Sequence, residues 1–181
     1  MDNLAPGMFV VPAVALSLIV MGYHHFRRKV QDRSVYRQLV IAVAASAFLL
    51  NFAWEVAQGP LYKNFRYDWK HISFCALASV ADMLMVLVLL FGFGIIYKSA
   101  FWIRHLSTGR MAALMLTGGA GAILSEMWHT ARGDWYYAEA MPLLPGMEAG
   151  LTPVLQFTIL PLISFMVSRK ITDNRYHRQE Q

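Results

Sequence analysis

Apolar residues dominate five stretches of this chain, and most of the charges fall outside them. A helix needs roughly 20 apolar residues to cross a hydrocarbon core of about 30 Å, and each stretch comes close to that length. The pattern predicts spanning helices at about 7–25, 37–58, 72–98, 108–129 and 150–168. The third is long enough to tilt or to project beyond the core. The fifth contains Pro153 and Pro161, which a membrane helix tolerates when its neighbours re-satisfy the freed carbonyls. The expected fold is all-α: an integral membrane bundle of five transmembrane helices forming one domain over 1–170, followed by a polar cytoplasmic tail over 171–181.

Composition supports lipid exposure. Hydrophobic residues make up 57% of the chain and charged ones 15%, which is more apolar surface than a soluble domain of 181 residues can bury. The length leaves no room for a separate catalytic module, so any chemistry belongs inside the bundle or at its rims. The net charge of +5 does not imply nucleic acid, because Lys and Arg lie between apolar runs rather than on one soluble face.

Their distribution sets an orientation instead, since short cytoplasmic loops retain Lys and Arg. One side holds Arg27, Arg28, Lys29, Arg33, Arg37, Lys98, Arg104, Arg110, Arg169, Lys170, Arg175 and Arg178, and the other holds only Lys63, Arg66, Lys70 and Arg132. That split assigns the 26–36 loop, the 99–107 loop and the tail to the cytoplasm, and the N-terminus to the outside. No basic residue precedes the first run and no small-residue cleavage site follows it, so it is expected to stay attached. A bacterial inner (plasma) membrane fits this arrangement. His24, His25, His105 and His177 fall in or beside cytoplasmic loops and read as solvated, and Cys75 reads as a small buried residue. Gly118, Gly119 and Gly121, with Ala120 and Ala122, should let another helix approach the fourth span closely.

Polar side chains inside spans are costly and therefore informative. Asn51, Glu55, Gln58 and Tyr62 follow helical spacing toward the outer end of the second span, with Trp54 beside them. In the third span, His71, Cys75, Ser79 and Asp82 share a face, and Asp82 lies roughly 16 Å below His71. A carboxyl at that depth must be protonated, paired or facing an internal cavity. The fourth span ends with Ser125, Glu126, Trp128, His129 and Arg132, and Gln156 sits near the start of the fifth. Glu126 and His129 are three residues apart, which allows a hydrogen bond or a shared ligand. A purely structural account is also open: Glu55 could pair with Arg132 or His129, and Asn51 and Gln156 could be interhelical polar glue. Of the aromatics on this side, Trp69, Trp135, Tyr136 and Tyr137 lie in expected loops and read as an interfacial belt. Trp54 and Trp128 adjoin the polar cluster and could wall its cavity.

A deep acid and a second carboxyl, with aromatic walls and no nucleophilic serine or cysteine motif, suit proton transfer to and from an apolar substrate. Aromatic faces stabilise a cation, and a dry pocket keeps water from quenching it. Cyclisation or isomerisation of a prenyl chain has those requirements. Asn51-Phe52-Ala53-Trp54-Glu55 also resembles the Asn-x-x-Trp-Glu pattern of integral-membrane terpene cyclases of meroterpenoid and indole-diterpene pathways. In that family the glutamate is a proposed catalytic acid, and an aspartate lies in the following span, where this chain has Asp82. The resemblance covers only the second and third spans. Those cyclases have seven spans and another carboxylate late in the chain, whereas the last span here offers Gln156, so that Glu126 would have to substitute. The short lycopene cyclase subunits, more distantly similar, work as pairs, so a homo- or hetero-oligomer could complete such a site.

The expected assignment is therefore Glu55, Asp82, Glu126 and His129 as acid–base groups, and Asn51, Trp54, Gln58, Trp128 and Gln156 as substrate-binding groups. The partners would be membrane lipid and a lipophilic small-molecule substrate, with no cofactor. Three other readings compete. Glu55, His71, Glu126 and His129 mix carboxylate and imidazole as a metal site would, or His71 and His129 could grip a haem. The acids could line a proton or cation route through a carrier. The cluster could also dock this chain against a larger membrane complex.

Overall fold

In the computed structural model, residues 10–179 are described, with side chains from 13 to 173. Parts of the first span, and of the tail with Arg175, His177 and Arg178, lie outside that range. Among the described residues five α-helices account for the architecture: α1 Val10–Arg27, α2 Arg33–Gln58, α3 Trp69–Ile96, α4 Thr108–Arg132 and α5 Leu151–Gln179. Four of them, α2 to α5, are long and apolar enough to cross a membrane.

Local chemistry fixes where the helices begin. The Asp32 carboxylate accepts from the amides of Ser34 and Val35 at the start of α2, and Asp68 accepts from the amide of His71 at the start of α3. Ser107 does the same for α4, which ends at Gly133 in the left-handed conformation. After Pro161 nothing in the sequence stops α5, and it continues as helix through Gln179, beyond residue 170 where the sequence places the tail.

Neighbouring helices pack in the order α1, α3, α2, α5, α4. The basic end of the bundle, with the 28–32 and 97–107 connections, is filled by a hydrophobic core in which Leu39, Val43, Val86, Trp102, Leu114 and Phe165 are fully buried. Trp102 donates its indole N–H to the Leu90 carbonyl at 2.9 Å. Between α2 and α5 the packing is polar but closed, with the Ser46 and Ser168 hydroxyls 2.8 Å apart. The opposite end holds the acids.

α4 is joined to α5 by a backbone contact that the proline makes possible. Pro161 has no N–H to donate to the Phe157 carbonyl one turn earlier, and a side-chain carbon on Gly118 would run into that same carbonyl. The Gly118 backbone lies against the freed oxygen, the geometry of a Cα–H···O contact. Gly119 faces the Thr158 hydroxyl, whereas Gly121 meets open space and takes no part in the packing expected of it.

Candidate functional site

Gln156 is the hub of the acid end. It is 1% exposed, and its Nε2 donates toward Asn51 Oδ1 at 2.9 Å, Glu55 Oε1 at 3.0 Å and Asp82 Oδ2 at 3.0 Å. One amide from α5 thus joins α2 and α3. Gln58 Nε2 donates to the Gln156 Oε1 and to the Glu55 Oε1, each at 2.9 Å, while its own Oε1 accepts from the Trp54 indole at 3.2 Å. Asn51 anchors itself by donating to the Ala47 carbonyl at 2.8 Å.

This wiring has a chemical consequence. An amide nitrogen carries two protons, and three side-chain oxygens compete for those of Gln156, so one of them lacks a Gln156 proton at any moment, with Glu55 alone having Gln58 as a second donor. Two of the three belong to carboxyls, Glu55 and Asp82, which share a donor without a cation among their partners. Among the described residues no Lys or Arg is paired with either; Arg132 pairs with Asp134 at 3.6 Å and Arg104 with Asp173 at 3.3 Å. Of the structural account, the pairing of Glu55 with Arg132 or His129 does not occur among the described residues, whereas Asn51 and Gln156 do hydrogen-bond between α2 and α5.

Glu126 is buried on α4 and accepts a short hydrogen bond from the Tyr137 hydroxyl. The same hydroxyl accepts from the Gly150 amide at 2.9 Å. Tyr137 belongs to the loop that an interfacial belt was expected to claim, but a bridge turns it inward: Tyr62 and Tyr137 pair antiparallel, the Lys63 amide donates to the Tyr136 carbonyl, and the Ala138 amide donates to that of Leu61. The 59–65 and 133–150 connections thereby form a lid over the acids. Trp69, 85% exposed, and Tyr136 do lie outside as an interfacial belt would.

The Tyr62 phenol reports how close the acids are. Its proton is held well above the ordinary tyrosine range, first by burial and then by the carboxyls of Glu126 and Glu55, with Tyr137 and Asp82 adding less. Tyr137 is raised likewise, by burial and by its bond to Glu126. Because both folded values exceed the unfolded one near 10, the stability these phenols confer is complete below about pH 10 and declines as pH rises beyond it. Thermal unfolding in detergent should therefore weaken with alkali more steeply in the intact chain than in a Tyr62→Phe, Tyr137→Phe double variant. Tyr137→Phe alone should cost about 1–2 kcal/mol at neutral pH, for the lost hydrogen bond to Glu126.

Two residues of the expected cluster stand apart from it. Trp128 is 62% exposed, with Arg132 over its ring at 5.7 Å, so it does not wall the acids. His129 does not bond Glu126. Its Nδ1 meets Asp134 Oδ2 at 2.7 Å and its ring stacks on Trp135 at 4.3 Å, because Gly133 turns the chain back over the helix end. His71 is similarly held by Asp68 at 2.8 Å. Backbone and imidazole donors from His71 keep the exposed Asp68 carboxyl below the usual aspartate range. Among the described residues no three His, Cys, Asp or Glu side chains converge as a metal-binding group. Tyr137 is the residue that sequence patterning misses, whereas Tyr62 falls on the α2 stripe but is given no role by it.

The fold and the site define a membrane-type helical bundle with an acid cluster in one half. Comparison with protein-family models, with curated proteins and with solved structures gives no match.

Proposed function

We propose that this chain is an intramembrane acid–base enzyme, a cyclase or isomerase of an isoprenoid-like lipid, with Glu55 and Asp82 as proton donor and acceptor. The observation that carries the reading is the pair of carboxyls held 3.0 Å from one amide nitrogen, with no cation to neutralise them. A protonated carboxyl protonates an alkene carbon of the prenyl chain, the carbocation forms a new bond or shifts its charge, and the second carboxyl removes a proton from the adjacent carbon. The Trp54 face stands next to that path to stabilise the cation. Glu126, with Tyr137, would return the proton between turnovers.

The same reading has the bundle crossing the membrane five times, with α1 as the first span, the N-terminus outside and the basic end in the cytoplasm of a bacterial cell. A carrier for protons or cations fits less well. The acids lie in one half of the bundle, whereas the other half is packed with Val43, Val86, Leu114 and Phe165 and, among the described buried residues, carries only the hydroxyls of Ser46, Ser164, Ser168 and Thr172 and no ionisable carboxyl.

Lipid mass spectrometry of cells expressing the intact chain, Glu55→Gln or Asp82→Asn at matched membrane levels tests the proposal. An isoprenoid species that changes with the intact chain should change at least about a hundredfold less with either variant, the scale of a lost general acid or base. Identical profiles for all three proteins would refute it.

A further inference from the structure

Between Glu139 and Glu148 the connection from α4 to α5 passes through eight residues, Ala140 to Met147, without one polar side chain. Connections in water are polar, and a run of exposed apolar residues is a defect unless something uses it. Here the run is ordered as a hairpin. The Leu144 amide donates to the Ala149 carbonyl at 2.9 Å, the Leu151 amide donates to that of Pro142 at 2.7 Å, and Leu143 bridges Gly150. The tip is a type II turn, with Pro145 and Gly146, at φ +73°, in its corner and the Met147 amide donating to the Leu144 carbonyl at 3.1 Å. Met141 and Ala149 at the roots are buried, whereas Leu143 and Met147 are 50% and 45% exposed. Part of the apolar run holds the hairpin to the bundle, and part faces outward.

Contacts along α4 set the depth of the tip. The Thr130 hydroxyl meets the Glu148 carbonyl at 3.4 Å, which lays the return strand beside the last turn of α4 rather than beyond its end. Trp128, two residues from Thr130 and so about 3 Å away along the axis, is exposed with Arg132 over its ring, and the exposed Tyr136 leads into the hairpin. Exposed amphipathic rings mark the level at which hydrocarbon gives way to headgroups. Leu124 and Met127, also exposed, continue that surface of α4 as an apolar one on the far side of Trp128. The hairpin therefore lies at the boundary that the rings mark, with Glu139 and Glu148 limiting its apolar part.

We infer that this hairpin is an interfacial anchor, inserting Leu143, Pro145 and Met147 among the acyl chains just beneath the headgroups. Its partner is the bilayer surface itself. No Lys or Arg lies between Arg132 and Arg169, so the attraction is burial of apolar side chains and does not need anionic lipid. The hairpin also seats the lid, because the Gly150 amide at its root donates to the Tyr137 hydroxyl that reaches Glu126. The inference rests on the bundle lying in a membrane with its acid end at one surface, and is independent of the acid–base chemistry.

Nitroxide labels on the full-length protein in phosphatidylcholine liposomes test it. Cys75, the single cysteine, is first removed as Cys75→Ser. Leu143→Cys and Met147→Cys then carry the label one at a time, with Glu139→Cys as the aqueous reference and Leu77→Cys, on the exposed face of α3, as the lipid reference. Collisions with a water-soluble nickel chelate should be about tenfold rarer at 143 and 147 than at 139, because a polar chelate stays out of the acyl region. Collisions with oxygen should be more frequent at 143 and 147 than at 139, and neither measure should change when phosphatidylglycerol is added to the liposomes. Labels at 143 and 147 that behave like 139, beside a lipid signature at 77, would overturn the anchor and leave the tip in water, open to a protein partner. A lipid signature at the tip that appears only with phosphatidylglycerol would overturn it as well, since charge would then be the attraction. An aqueous signature at 77 too would sink the membrane placement on which the inference rests.

Discussion

Gln156→Leu should be among the most destabilising single changes in the protein, with an expected loss of about 3–5 kcal/mol. Leucine nearly matches the volume but removes a donor that serves Asn51, Glu55 and Asp82, and an acceptor that serves Gln58. Each buried group left without a partner costs about 1–3 kcal/mol. Unfolding by a denaturing detergent, followed by circular dichroism, measures the loss. Gln156→Glu separates hydrogen bonding from shape: it keeps the outline but brings a third acid against two others, so its deficit should shrink as pH falls and the acids are neutralised. A loss below about 1 kcal/mol for the leucine variant would mean that the amide is not what holds α2, α3 and α5 together.

Gly118→Leu should cost at least about 3 kcal/mol, because overpacking against backbone cannot be relieved by a rotamer change. The first side-chain carbon already meets the Phe157 carbonyl, so even Gly118→Ala should be clearly destabilising. Gly121→Leu places the same bulk three residues away in open space and should change stability by no more than about 0.5 kcal/mol. The same unfolding experiment reads all three. Equal losses at 118 and 121 would show that helix propensity, rather than the α4–α5 contact, sets the cost.

Much of the fold is legible in the sequence because lipid-facing helices must be continuously apolar. The expected spans at 37–58, 72–98 and 108–129 fall on α2, α3 and α4, with ends displaced by a few residues where Asp32, Asp68 and Gly133 set the caps. The fifth helix outruns its expected end because hydropathy reports where apolar residues stop, and a helix stops only where the backbone is interrupted. Glu55 and Gln156, near the C-terminal end of α2 and the N-terminal end of α5, converge with Asp82 from the middle of α3. Tyr137 could not be found this way. It reaches Glu126 through a bridge between two connections more than seventy residues apart, and no periodicity encodes that pairing. Trp128 and His129 fail for the opposite reason: Trp128, two residues after Glu126, lies about 200° around the helix from it, and His129, although three residues on and on the same side, is handed a different carboxylate by the turn at Gly133.

The order of the helices along the chain gives the Gln156 hub a further meaning during biosynthesis. Asn51, Glu55 and Asp82 are translated first, and the amide that joins them arrives only with the last helix. A nascent chain that has inserted α2 and α3 holds two acids with no common donor, and the arrival of α5 closes the bundle and the site in one event. A ribosome that stalls before residue 156 therefore releases a product in which Asp82 lacks its amide donor and Glu55 keeps only Gln58, the kind of defect by which membrane quality control distinguishes an unfinished protein from a finished one.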